Sequence, residues 1–220
     1  MSSETMVYLA RHGATDHNLA VPIRLQGNAI DGDLAAIGIE QARGLSERLA
    51  SLPIRAVYSS VMRRACQTAA IVAEPHQLTA QPVEGLHEIA VGQWEGLSWA
   101  EIQSRHPEAF AAFFANPAES PYLGGECYED VLRRARPVLH QIIERHVGQA
   151  VVIVTHNVVN RVLLANCLGL PLVRAKFLHQ SNCCFNELRC APGITDVRSI
   201  NQDAHVWPWI RPAAGFRSPL

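Results

Sequence analysis

The run Ala150-Val151-Val152-Ile153-Val154-Thr155, closed by His156, decides the architecture. Six consecutive apolar or β-branched residues without alternation describe a strand covered on both faces, as in the middle of a parallel sheet. A helical pattern from about 158 to 168 follows, ended by Gly169 and Pro171. The same order of strand then helix occurs nearer the start. Val7-Tyr8-Leu9-Ala10 reads as a strand, and residues 34–50 form an amphipathic helix through Leu34, Ile37, Ala42, Leu45 and Leu49. Ala56-Val57-Tyr58-Ser59 is a second strand, with an Ala-rich helix over 63–74 that Pro75 ends. This alternation predicts an α/β three-layer sandwich, a mainly parallel central sheet flanked by helices. Residues 126–146 add a helix through Val131, Ala135, Val138, Leu139, Ile142 and Ile143, which Pro137 is expected to bend or cut in two. Residues 183–188 and 197–200 read as a late pair of strands.

At 220 residues the chain suits one domain, read here as 1–220, with 48% hydrophobic and 18% charged residues, which excludes a disordered chain. Nineteen Lys plus Arg against twenty Asp plus Glu leave a net charge of −1, so no global field exists to hold nucleic acid or an anionic membrane. No apolar run is long enough to cross a bilayer, and Met1-Ser2-Ser3-Glu4-Thr5 lacks a basic region before an apolar one. The expectation is a soluble, cytoplasmic protein. The six cysteines, Cys66, Cys127, Cys167, Cys183, Cys184 and Cys190, read as reduced core residues, with Cys183 and Cys184 on opposite faces of a strand. No Cys-x-x-Cys or His-x-x-x-His pair supplies a cation site, so no metal and no cofactor is expected.

A helical insertion spans about 97–123, opened by a capping box at Ser98 and Glu101 and interrupted by Pro107. Trp94, Trp99, Phe110, Phe113, Phe114 and Tyr122 gather there, either as a lid over a pocket or as a satellite core. The Pro-rich tail, about 207–220, carries no catalytic signal.

In an open α/β sheet, ligands bind where strands end and helices begin. Arg11, His12 and Gly13 follow the first strand; Ser59, Ser60, Arg63 and Arg64 close the second; His156 and Asn157 follow the central one. Two imidazoles and at least two guanidiniums therefore meet at one sheet edge. A phosphoryl dianion gives such a cluster its purpose, because guanidinium forks match its oxygens and imidazolium adds further charge-assisted hydrogen bonds. No Gly-x-x-x-x-Gly-Lys loop is present, which argues against triphosphate binding by that route.

The stretch Leu9-Ala10-Arg11-His12-Gly13-Ala14-Thr15-Asp16-His17-Asn18 resembles the Arg-His-Gly signature of the histidine phosphatase superfamily, with its phosphoglycerate mutase-like fold. Further blocks follow in order: Gln26-Gly27; Gly38-Ile39-Glu40-Gln41-Ala42; Tyr58-Ser59-Ser60 with Arg64-Ala65-Cys66-Gln67-Thr68-Ala69; Leu86-His87-Glu88-Ile89 with Gly92-Gln93-Trp94-Glu95-Gly96; Gly124-Gly125-Glu126; and Val154-Thr155-His156. The resemblance implies His12 as nucleophile, Arg11, Arg64 and His156 as the phosphate pocket, and Glu88 as proton donor. It makes Asn18 and the backbone near Gln26 and Gly27 secondary contacts. Val61, Asn157 and Cys127 depart from the commoner family residues; Asn157 puts an amide near the phosphate or the leaving group. Arg63 reads as a surface ion-pair partner, Glu95 as structural or catalytic, and the remaining histidines, including His205, as solvated or packing residues.

The implied activity is metal-independent hydrolysis of a small-metabolite phosphomonoester through a phosphohistidine. The alternatives are a cofactor-dependent phosphoglycerate mutase and a catalytically silent phosphate-binding protein. Only Arg105 is basic, with His106 beside it, between residues 97 and 123, which favours hydrolysis over a mutase that must hold a bisphosphate. The expected partner is a small phosphorylated metabolite, and the late strands offer an edge or face for a homodimer.

Overall fold

The computed structural model describes residues 4–209. Six strands form one sheet: β1 (Thr5–Arg11), β2 (Ile54–Ser60), β3 (Gln81–Val83), β4 (Ala150–Thr155), β5 (Phe185–Ala191) and β6 (Ile194–Gln202). Their spatial order is β3-β2-β4-β1-β5-β6. β1 to β4 run parallel, whereas β5 is antiparallel to β1 and β6 antiparallel to β5. β4, the apolar run, is buried along its whole length between β1 and β2. Its neighbours end at the same level, Arg11 opposite Thr155 and Ser59 opposite Val154.

Seven helices accompany the strands among the described residues: α1 (Asp16–Leu19), α2 (Ala36–Leu49), α3 (Arg63–Ala73), α4 (Trp99–Arg105), α5 (Pro107–Ala115), α6 (Tyr128–Arg145) and α7 (Asn157–Cys167). The two-residue period of the strands sorts their side chains between two cores. Val7, Leu9, Tyr58, Val151 and Ile153 face α6 and α7, meeting Val131, Ala135, Leu139, Val159 and Leu163. Tyr8, Ala10, Val57, Val152 and Val154 face α2 and α3, meeting Ala42, Leu45, Leu49, Ala65, Ala69 and Val72. The sandwich read from the sequence is therefore the observed one. Phe113 and Tyr122 of the insertion join the first core, packed against Trp94.

Two expectations need correction. Pro137 does not cut α6, which runs unbroken for 18 residues, because the proline stands on the exposed face where water can serve the freed carbonyl. Cys183 and Cys184 precede β5 rather than alternate within it. Cys183 has a positive φ of 54°, so the chain turns there; Cys183 enters the second core, and the Cys184 thiol points at Gln180 Oε1. The three-residue β3 escapes the sequence reading, being too short to show a period. All six cysteines are free. No helix among the described residues is long and apolar enough to cross a membrane. The tail reading falls largely on residues 210–220, outside those described.

Candidate active site

The parallel pairing of β1 with β4 brings the two imidazoles together. The chain leaves β1 with His12 N–H donating to Thr155 O at 3.0 Å, so His12 and His156 project from adjacent strand ends. Their ring centroids are 5.1 Å apart and both are buried, His12 at 3% exposure and His156 at 0%. His12 Nδ1 lies 2.7 Å from Gly13 O. A carbonyl can only accept, so Nδ1 carries the proton and Nε2 keeps its lone pair. Arg64 Nε donates to that lone pair at 3.3 Å. Burial, reinforced by Arg64 and Arg11, holds His12 well below the ordinary imidazole value; burial and the same arginines with His12 do so for His156. A bare nitrogen is what an attack on phosphorus requires.

The backbone approaches closely here. A Cβ on Gly13 would lie 2.3 Å from Gly38 O, and one on Gly38 would lie 2.1 Å from Ala14 O. Both glycines are needed for the loop after β1 to sit on the first turn of α2. Thr68 Oγ1 then accepts from Gly13 N at 3.0 Å, and Gln41 Oε1 from Ala14 N at 2.9 Å.

Two guanidiniums flank the rings, Arg64 buried and Arg11 half-buried. Arg64, with no exposed surface, has Nη1 and Nη2 on Ile30 O and Gly27 O at 3.1 and 3.0 Å, and Asp31 is 3.9 Å away. Arg11 donates from Nη1 to Gln180 O at 2.7 Å, and its Nε is buried without a partner. Burial lowers the Arg11 value to about 10, which leaves it charged at neutral pH. A network of buried amides fixes the Gln180 turn. Gln180 Oε1 accepts from Asn160 Nδ2 and Asn186 Nδ2, Gln180 Nε2 donates to Asn186 Oδ1, and Asn186 Nδ2 also donates to Leu9 O.

Glu88 is 5% exposed and sits against the start of α7. Its Oε1 accepts from Ile89 N at 3.0 Å and its Oε2 from Val158 N at 3.3 Å. It lies close enough to Arg11 and Arg64 for its carboxylate form to favour the charge of both. Arg134 clamps the surrounding loop, giving hydrogen bonds to Gly85 O, His87 O and Glu88 O while its fork holds Glu126. Glu126 in turn accepts from Ala90 N at 2.8 Å.

The structure thus gathers His12, Arg11, Arg64, His156 and Glu88. The secondary residues divide. Asn18 Oδ1 accepts from Thr15 N and Asn182 Nδ2, and Gln26 Oε1 from Thr15 Oγ1, so both tie the loop after β1. Gly27 commits its N–H to Glu95 Oε1 at 2.6 Å and its carbonyl to Arg64, and so positions Arg64. Glu95 thus holds this loop through Oε1, while its Oε2 is buried without a partner. Asn157 begins α7, and its Oδ1 is buried without a partner. Arg63 pairs with Asp33 at the surface, and His205 bonds Cys183 O, both as read from the sequence. Arg134, Gln180 and Asn182 are not singled out by the sequence, and Ser60 is placed at the strand end without a role. Ser60 alone carried a signal, as the last residue of a strand. Among the described residues no three or more His, Cys, Asp or Glu side chains gather as a cation site.

The chain belongs to the histidine phosphatase superfamily (branch 1), whose family model matches residues 7–203. It is 39% identical over 170 residues to the metal-independent phosphoserine phosphatase of Arabidopsis thaliana, covering 74% of this chain and 68% of that protein. It is 33% identical over 218 residues to the glucosyl-3-phosphoglycerate phosphatase of Mycobacterium tuberculosis, covering 94% of this chain and 95% of the relative. Among solved structures, Bacillus stearothermophilus YhfR superposes with a TM-score of 0.84 at 33% identity, over 92% of this chain and 99% of that one.

Proposed function

We propose that this protein hydrolyses a small phosphorylated metabolite, with His12 as nucleophile and without a metal. The observation that carries the reading is the buried His12 Nε2 lone pair, fixed by Gly13 and surrounded by Arg11, Arg64 and His156. As the phosphoryl group enters, its oxygens take over the Arg64 Nε–H and the free Arg11 Nε–H, releasing the lone pair. Nε2 then forms a bond to phosphorus while the ester P–O bond breaks, and the guanidiniums balance charge on the equatorial oxygens. Glu88, carrying the proton at this stage, gives it to the departing alkoxide. The resulting carboxylate accepts a proton from water as that water attacks phosphorus and breaks the N–P bond. Phosphate leaves, and His12 and a protonated Glu88 are restored.

Hydrolysis is favoured over phosphoryl return to a bound product, since Arg105, the one arginine of the insertion, is drawn to Glu101 at 3.7 Å. The relatives suggest phosphoserine and glucosyl-3-phosphoglycerate as first substrates to try. The test is a panel of phosphomonoesters assayed for phosphate release in excess chelator, parent against His12→Ala. Turnover by the parent and near-complete loss in a folded variant are expected. Loss of parent turnover on adding chelator, or full activity of His12→Ala, overturns the mechanism.

A further inference from the structure

Ser60 ends β2 beside the phosphoryl hollow and takes no part in the mechanism above. Its hydroxyl, fully buried, lies 2.8 Å from His156 Nε2 and 3.2 Å from Met62 N. The amide can only donate, so it takes one acceptor site of Oγ. Among the described residues the hydroxyl proton has one acceptor within reach, the imidazole nitrogen. His156 Nδ1 is unpartnered in either tautomer, so the hydroxyl decides between them: were Nε2 protonated instead, the buried hydroxyl hydrogen would go unused.

We infer that Ser60 is a positioning residue that locks His156 in the Nδ1–H tautomer, so that this ring serves the phosphoryl group as a hydrogen-bond donor. The inference rests on reading the hollow as a phosphoryl site. His156 Nδ1 is itself buried without a partner, on a ring 5.1 Å from that of His12. The two imidazoles are thereby held in complementary states. His12 gives its Nδ1–H to Gly13 O and presents a bare Nε2; His156 takes the Ser60 proton at Nε2 and keeps its own hydrogen at Nδ1. One ring can attack and its neighbour can donate, although both are neutral. The neutral state agrees with the lowering of both rings by burial and by Arg64. A donor that needs no net charge avoids adding a third cation beside Arg11 and Arg64 before the anion arrives.

Nitrogen NMR of His156, assigned by comparison with His156→Gln, tests the idea directly in the full chain. A protonated Nδ1 and a bare Nε2 are expected in the parent, and the reverse assignment overturns the inference. Ser60→Ala should lose the fixed tautomer and bind inorganic vanadate about tenfold more weakly, the scale of one net hydrogen bond to a charged group. Ser60→Thr, which retains the hydroxyl, should restore both. An unchanged tautomer and unchanged vanadate affinity in Ser60→Ala would also overturn it. If the parent shows the expected tautomer and vanadate affinity yet hydrolyses no phosphomonoester, the failure lies with the proposed function and not with Ser60.

Discussion

Arg134→Met tests whether Glu88, the proposed acid–base residue, is held by its supporting loop. Arg134 gives hydrogen bonds to three carbonyls of the segment carrying Glu88, at 2.8, 2.7 and 3.2 Å, and two more to Glu126 at 2.8 and 3.0 Å. Methionine keeps most of the stem but none of the donors. The ion pair is partly open to solvent, with side-chain exposures of 17% and 21%, so its own worth must be discounted for screening. The carbonyls left behind face a region closed by α6, and rehydrating them loosens the loop. Together these effects give a loss of about 2–3 kcal/mol, well below the sum of five independent bonds because the loop can relax. For a chain of this size that is a fall in Tm of roughly 5–10 °C. The catalytic effect follows from geometry, since a displacement of about 1 Å at a reacting group costs on the order of 100-fold.

The assay that isolates this effect compares two leaving groups at a temperature where the variant is folded. p-Nitrophenolate departs without a proton, whereas an alkoxide needs one, which the proposed mechanism takes from Glu88. The expected outcome is a kcat loss of about 10- to 100-fold on an alkyl phosphate and a much smaller loss on p-nitrophenyl phosphate. Arg134→Lys should not restore activity, since an ammonium cannot span three carbonyls and a carboxylate in the plane of a fork. Equal losses on both substrates would refute the argument, by showing that Arg134 acts on the phosphoryl pocket or on folding alone.

Stability should depend on pH through the buried imidazoles. His12 and His156 have folded values well below 6.5, so below the unfolded value the unfolded chain binds more protons. Their contribution is complete above about pH 6.5 and falls with pH towards the folded values, by up to about 1.4 kcal/mol per pH unit for each ring. Urea unfolding from pH 7 to 5 reads this out, and a flat profile would contradict it. The same lowering keeps His12, the proposed nucleophile, unprotonated in mild acid, so the acid limb of kcat/KM attributable to it should lie well below pH 6.5. Gly38→Ala should cost about 3 kcal/mol or more and depress turnover, because its Cβ would meet Ala14 O at 2.1 Å and must push the loop from α2; unchanged thermal unfolding would count against that contact.

The layers and the strand-end residues were legible because each has a local signature. β4 declares itself by unbroken β-branched residues, and His12, Arg64 and His156 stand immediately beyond strand-like stretches or in ordered family blocks. What escaped depends on partners far along the chain. Arg134 lies on a charged helical face and looks like any solvated arginine until the fold lays the 85–90 loop across it. Gln180 and Asn186 are unremarkable polar residues in sequence, yet their amides satisfy one another only once β5 has paired with β1. Cys183 was misplaced because a positive φ at a non-glycine residue leaves no mark in composition.

Adjacent strands of any sheet lie about 4.7–4.9 Å apart. The 5.1 Å between the His12 and His156 rings is close to that spacing, and their strands are neighbours. The backbone ladder therefore acts as the ruler for the two rings, and no loop has to measure the gap. Glu88 and the aromatic insertion hang from connections outside that ladder, so they can be lengthened, shortened or replaced while the distance between the rings is left alone. A scaffold divided in this way can change which alcohol it releases without recalibrating the atoms that hold phosphorus.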